Sequence, residues 1–116
     1  MQTFSINELS IALTSTTANI LAGAPIQYFG RAGVLTIYGC SDAVGITHAL
    51  TVNDGQTNTQ VIPTTSGLGA CSTTGTVKTN EAFIGQYAIP AGVQLIHSVT
   101  NTTAGAVKVN FIYVIT

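Results

Sequence analysis

The chain has 116 residues, of which 46% are hydrophobic and only 6% charged, with a formal net charge of -1. Ordinary soluble domains carry roughly 25% charged residues. Arg31, Lys78 and Lys108 are the only fixed positive charges, too few to neutralise a run of phosphates, so direct nucleic-acid binding through the backbone is not expected.

No stretch approaches the roughly 18 to 20 continuous apolar residues of a membrane span. The opening MQTFSINELS has no basic region followed by an apolar one, as a secretory signal would. The expectation is a single domain, 1–116, folded in a cytoplasm, with Cys40 and Cys71 reduced at synthesis. Were the two to pair, a loop of about 30 residues would contribute roughly 3 kcal/mol under the chain-entropy picture. Two unrelated small apolar fillers is the favoured reading.

FSINELSIAL near the start reads as a strand. A helix could be forced over residues 6–21, but Thr14, Ser15, Thr16 and Thr17 oppose it by propensity and by competing side-chain hydrogen bonds. TSTTAN is therefore a break, followed by a strand at PIQYF and by Gly30 and Gly33. VLTIYGC, residues 34–40, is apolar on both faces, as a central strand covered on two sides should be. Ile46, His48, Leu50 and Val52 alternate on one face and lead into Asp54-Gly55, a strong hairpin signal. Residues 64–76, TTSGLGACSTTGT, form the longest loop candidate, and residues 83–89 add a strand.

The end of the chain has the clearest pattern. Val93, Leu95, His97 and Val99 alternate, as do Val107, Val109, Phe111, Tyr113 and Ile115, with Lys108 and Asn110 on the opposite face. This is the two-residue period of strands. Pro90 and Gly92 introduce the first run. NTTAGA joins the two, as a hairpin or a tight corner, with Gly105 placed to take a positive φ. The sum is an all-β chain of eight or nine short strands: a two-sheet antiparallel sandwich, with a jelly roll favoured over an immunoglobulin-like arrangement that would want a core Trp.

Chemistry is scarce. Glu8, Asp42, Asp54 and Glu81 are far apart in sequence. Asp54 belongs to its turn, and a glycosidase-type pair would have to come from Asp42 and Glu81, for which nothing argues. His48 and His97, with Asp42 or Cys40, could in principle hold a metal, yet no ligand spacing supports one. Both histidines are expected to be structural, in the core or at a subunit contact whose assembly acid would weaken. A Ser-His-Asp triad is available from the inventory but lacks a nucleophile elbow. SGLGACSTTGTVK fails as a phosphate loop, because Thr76 follows Gly75 and Ser72 occupies a glycine position. The Asn101 sequon reads as chance. No catalytic residue, cofactor or metal site is expected.

IPAGVQLIHSVTNTTAGAVKVNFIYVIT, residues 89–116, resembles the closing strands of small jelly-roll virion proteins of tailed bacteriophages, the capsid decoration or cement proteins. The shared features are a Pro/Ala-Gly turn into a strand, an N-T-T corner and a last apolar strand. The resemblance implies a structural virion protein, made in a host cytoplasm, that assembles as a homo-oligomer, a trimer for preference, on a major capsid protein. It transfers no functional residue. The alternative is a lectin-like sandwich reading carbohydrate through loops such as 64–76. Against it, the aromatics fall in the strands and none in the loops.

Overall fold

The computed structural model describes the chain except residues 1, 13, 14, 25, 27, 43, 44, 70, 75, 76, 80, 81 and 104, with backbone alone at 8, 28, 29, 63–65, 72–74, 77–79 and 82. The described residues contain strands and no helix. The strands are β1 (Gln2–Ile11), β2 (Ser15–Thr17), β3 (Tyr28–Phe29), β4 (Gly33–Ser41), β5 (Ile46–Asn53), β6 (Asn58–Gly67), β7 (Ser72–Thr74), β8 (Val77–Thr79), β9 (Ala82–Ile89), β10 (Val93–Asn101) and β11 (Val107–Ile115).

Two antiparallel sheets pack face to face. One runs β1-β11-β4-β9; the other runs β2-β10-β5-β6, with β3 also paired to β10. Each sheet thus interleaves strands from both ends of the chain, which is the jelly-roll arrangement. The strand between β1 and β4 is split: β2 pairs with residues 99–101 of β10 and β3 with residues 93 and 94. β7 and β8 form a separate hairpin.

The period-two pattern fixes the register, because a slip of one residue would turn every core side chain outward. Val93, Leu95, His97, Val99 and Asn101 of β10 all face inward, as do Ile46, His48, Leu50 and Val52 of β5. From the other sheet come Leu35, Ile37, Val107, Val109, Phe111 and Tyr113. β4 is central, as its two-sided apolar character predicts, although Val34 at its start is exposed. An ideal Cβ at Gly39 would stand 2.5 Å from Phe111 Cδ1, so glycine there lets the Phe111 ring lie directly against β4.

Several expectations need correction. TSTTAN is not a plain break, since Ser15–Thr17 hydrogen-bonds to β10 as β2. PIQYF pairs only at Tyr28–Phe29, while Ile26 is buried and residues 25 and 27 lie outside the described set. Residues 64–76 are not one loop, because β6 continues to Gly67 and β7 starts at Ser72. β10 and β11 lie in different sheets, so of the two alternatives for NTTAGA the structure has the corner. The positive φ there belongs to Gly45, at 93°, packed against the corner, and Gly105 is not among the positive-φ glycines.

Cys40 and Cys71 are joined as a disulfide and are not independent fillers. Ser41 N donates to Gly69 O at 2.9 Å and Cys71 N to Ser41 O at 2.7 Å. Gly69 and Cys71 therefore lie against the end of β4, a long-range contact with no local signal in the sequence.

Candidate functional site

Two inward positions on neighbouring strands carry imidazoles. In the β5–β10 register His48 stands opposite Val99 and His97 opposite Leu50, so the two rings meet on the diagonal. His48 Nδ1 lies 3.0 Å from His97 Nε2. His97 Nδ1 lies 2.7 Å from the hydroxyl of Tyr113, which reaches across the sandwich from β11. Phe111 closes one side, with its ring centroid 4.6 Å from His97 and 5.8 Å from His48. Asn19 holds the back of the site: its Oδ1 accepts from His97 N at 3.1 Å and from Leu21 N at 3.0 Å.

His97 and Tyr113 are fully buried and His48 is 3% exposed. Burial, and then repulsion from His48, push the His97 imidazole down to about 3. Burial also lowers His48 and raises Tyr113 well above the ordinary phenol value. At neutral pH the three groups are uncharged.

Neutrality fixes the direction of the hydrogen bonds. Among the described residues the Tyr113 hydroxyl has His97 Nδ1 as its one partner, so its proton must go there to be satisfied. His97 then carries its hydrogen on Nε2 and donates it to His48 Nδ1. His48 in turn carries its hydrogen on Nε2.

That last N–H has no partner within the described protein. No buried side-chain nitrogen or oxygen among the described residues lacks a partner, so His48 Nε2 keeps access to the outside. It reaches it through a cleft of about 360 Å³ lined by Gly39, His48, Val61, Ile62, Ser66, Gly67, Leu68, Gly69, Phe83, Ile84 and Tyr87. The cleft opens on the flank of the sandwich, between the edge strands β6 and β9. β6 is bulged beside the cleft. Ser66 faces His48 and Ile62 faces Leu50, so three residues of β6 span the distance of one residue of β5. Bulges of this kind re-aim side chains beside functional sites.

Ser66 and His48 are a cross-strand pair, which raises a nucleophile–base reading. The hydrogen-bond direction opposes it, because Nε2 of His48 bears a hydrogen and offers no lone pair to a serine hydroxyl. The arrangement presents a donor and not a base.

The other candidates from the sequence lie elsewhere. Cys40 is in the disulfide. Asp42 sits next to β11, its backbone N–H donating to Lys108 O at 2.9 Å. Asp54 accepts from Gln56 N and Thr57 N, which hold its carboxyl below the usual range. Glu81, Gly75 and Thr76 lie outside the described residues, as does the Glu8 side chain. Among the described residues no group of three or more His, Cys, Asp or Glu is placed to hold a metal ion.

Neither histidine is at an exposed contact surface. His97 is enclosed within the core and His48 lines the cleft.

Asn101 of the sequon is fully buried. Its Nδ2 donates to Ile11 O at 3.1 Å, Ala12 O at 3.3 Å and Gly105 O at 2.8 Å, and its Oδ1 accepts from Thr103 N at 2.9 Å. The residue ties the end of β1 to the β10–β11 corner and leaves no room for a glycan. Sequence reasoning missed this role, the Tyr113 contact and the β6 bulge. Only Tyr113 had a legible signal, being inward on the same periodicity as Phe111.

The chain matches no protein-family model and no curated protein sequence.

Proposed function

We propose that the protein is a structural virion component, a capsid decoration or cement protein of the tailed-bacteriophage kind, which assembles as a symmetric homo-oligomer, a trimer, on a major capsid protein. The observation that carries this reading is the outer face of the β1-β11-β4-β9 sheet. Cross-strand pairing sets Ser5, Ile112, Tyr38 and Phe83 in one row and Thr3, Val114, Thr36 and Gln86 in the next. Neither row contains a charged residue. Phe83 is 61% exposed, with its ring 5.9 Å from that of Tyr38.

An uncharged patch carrying an exposed aromatic loses little favourable hydration when it meets an identical or flat partner surface. Jelly rolls serve in capsids and in lectins alike, so the fold supports the class of role without selecting it. The corner Asn101-Thr102-Thr103, on which the resemblance to virion proteins rests, is a stabilising device in this chain. No catalysis, cofactor, nucleic acid or membrane enters the proposal.

Light scattering on the purified chain at tens of micromolar tests it. The expected mass is a small multiple of 11.9 kDa, and Phe83→Asp should lower it. A monomer under these conditions overturns the proposal.

A further inference from the structure

The flank cleft is built from the inside of the sandwich outward. Its floor is an imidazole that is almost entirely buried and whose outer nitrogen has no partner among the described residues. A buried polar group that ends in a cleft, and not against another protein atom, is satisfied there by solvent or by a ligand.

Two more polar groups line the same cleft. Ser66 stands beside His48 across the strands, and Tyr87 comes from β9. Neither hydroxyl has a hydrogen-bond partner among the described residues. Gly85 makes room for Tyr87: an ideal Cβ there would stand 2.5 Å from the Tyr87 hydroxyl. Val61, Ile62, Leu68 and Ile84 supply apolar walls.

This lining selects a chemical class. Among the described residues it has no charged side chain, so an anionic or cationic ligand would lose its hydration without an opposite charge in return. It has three polar side chains, which a pure hydrocarbon would strand without partners. At about 360 Å³ it sits near the small end of ligand pockets, roughly 300 to 1,000 Å³. We propose that the cleft between β6 and β9 binds a neutral saccharide unit, with a ring or hydroxyl oxygen accepting from His48 Nε2–H, neighbouring hydroxyls exchanging hydrogen bonds with Ser66 and Tyr87, and the C–H face resting on the Tyr87 ring and the apolar walls.

The carbohydrate contact is thus a strand-edge cleft to which Ser66, Gly67, Leu68 and Gly69 of the 64–76 stretch contribute. The inference does not depend on the virion reading. Light scattering reports on assembly, whereas the following experiment reports on the cleft.

Protein labelled with ¹⁵N at histidine and backbone is titrated with the methyl glycosides of glucose, galactose, mannose and N-acetylglucosamine at tens of millimolar. At least one should shift His48 Nε2 and the amides of Ser66 and Gly67 saturably. Ser66→Ala and Tyr87→Phe remove hydroxyls that the fold does not use. Each should leave the melting temperature in place and weaken that binding about tenfold, the loss of one hydrogen bond to a well-held ligand. The proposal is overturned if none of the four glycosides shifts these signals, if the shifts fall outside the cleft, or if both variants bind as the parent does. Cleft signals that move with protein concentration alone would also overturn it, in favour of a second copy as the occupant.

Discussion

At the β10–β11 corner and in the middle of the sandwich, the same fold buries polar side chains on two different plans. Asn101 is held at a closed junction, with its amide donating to carbonyls of residues 11, 12 and 105 and its oxygen accepting from Thr103. His48, His97 and Tyr113 form a line. Its inner end is fixed by a hydroxyl that must donate, and its outer end is left in a cleft. Both are satisfied, but only the second depends on something beyond the protein. A closed junction fixes geometry; an open line presents a donor of determined direction to whatever enters.

The largest effect should come from breaking the packing that holds the central line. Phe111 is fully buried and touches both imidazoles and β4. Phe111→Ala should cost about 3 to 5 kcal/mol in chemical denaturation, the usual range for a large core ring. A loss below about 1 kcal/mol would place that face in solvent and shift the β11 register by one residue.

Breaking the closed junction should cost less. Asn101→Ala removes two donors and one acceptor from a buried corner, leaving several backbone groups to find water. A loss of about 2 to 3 kcal/mol is expected in the same measurement. Glycosylation at Asn101 should be undetectable by mass spectrometry of protein from a glycosylating host, since the folded amide is enclosed.

Much of this was legible in the sequence. Alternation in 93–99 and 107–115 placed His97 and Phe111 inward, and Asp54-Gly55 marked the β5–β6 turn, where Gly55 takes φ 98°. Period-two patterning says which face a residue occupies but not which residue of the other sheet it meets. Tyr113 was therefore known to be inward while its bond to His97 was not. The bulge in β6 and the disulfide arise from long-range placement of residues 62–71, where Gly, Pro and Thr carry no periodicity. Asn101 reads in the sequence only as the start of the NTTAGA connection and of a chance sequon, and its enclosure depends on where β1 ends.

The two plans also differ in their response to acid. His97 falls to about 3 in the folded state, and His48 is lowered as well. The unfolded chain has histidines near 6.5. Between these values the unfolded state binds more protons than the folded one, so stability falls as pH falls. It is fully present above about pH 6.5 and is lost progressively toward about pH 3, at up to about 1.4 kcal/mol per pH unit for each such group. Asp54, depressed by its turn hydrogen bonds, acts in the same direction at the acid end. The slope should persist in Asn101→Ala, whose junction does not titrate. A flat stability profile between pH 7 and pH 5 would mean that the imidazoles are not buried as described.

The smallest energetic change should be the most informative about direction. Tyr113→Phe keeps the ring that packs against Phe111, at 6.1 Å between centroids, and deletes the one hydroxyl that orders the line. His97 Nδ1 loses its donor, at a cost of about 1 kcal/mol. With that proton gone, His97 is free to carry its hydrogen on Nδ1, and the His48–His97 bond can run either way. In the parent, ¹⁵N spectra should show both histidines with hydrogen on Nε2. In the variant, His48 should shift toward the Nδ1–H form, and the cleft should lose part of its donor character although no residue lining it has changed. Identical histidine tautomers in the two proteins would show that Tyr113 does not set the direction of the line.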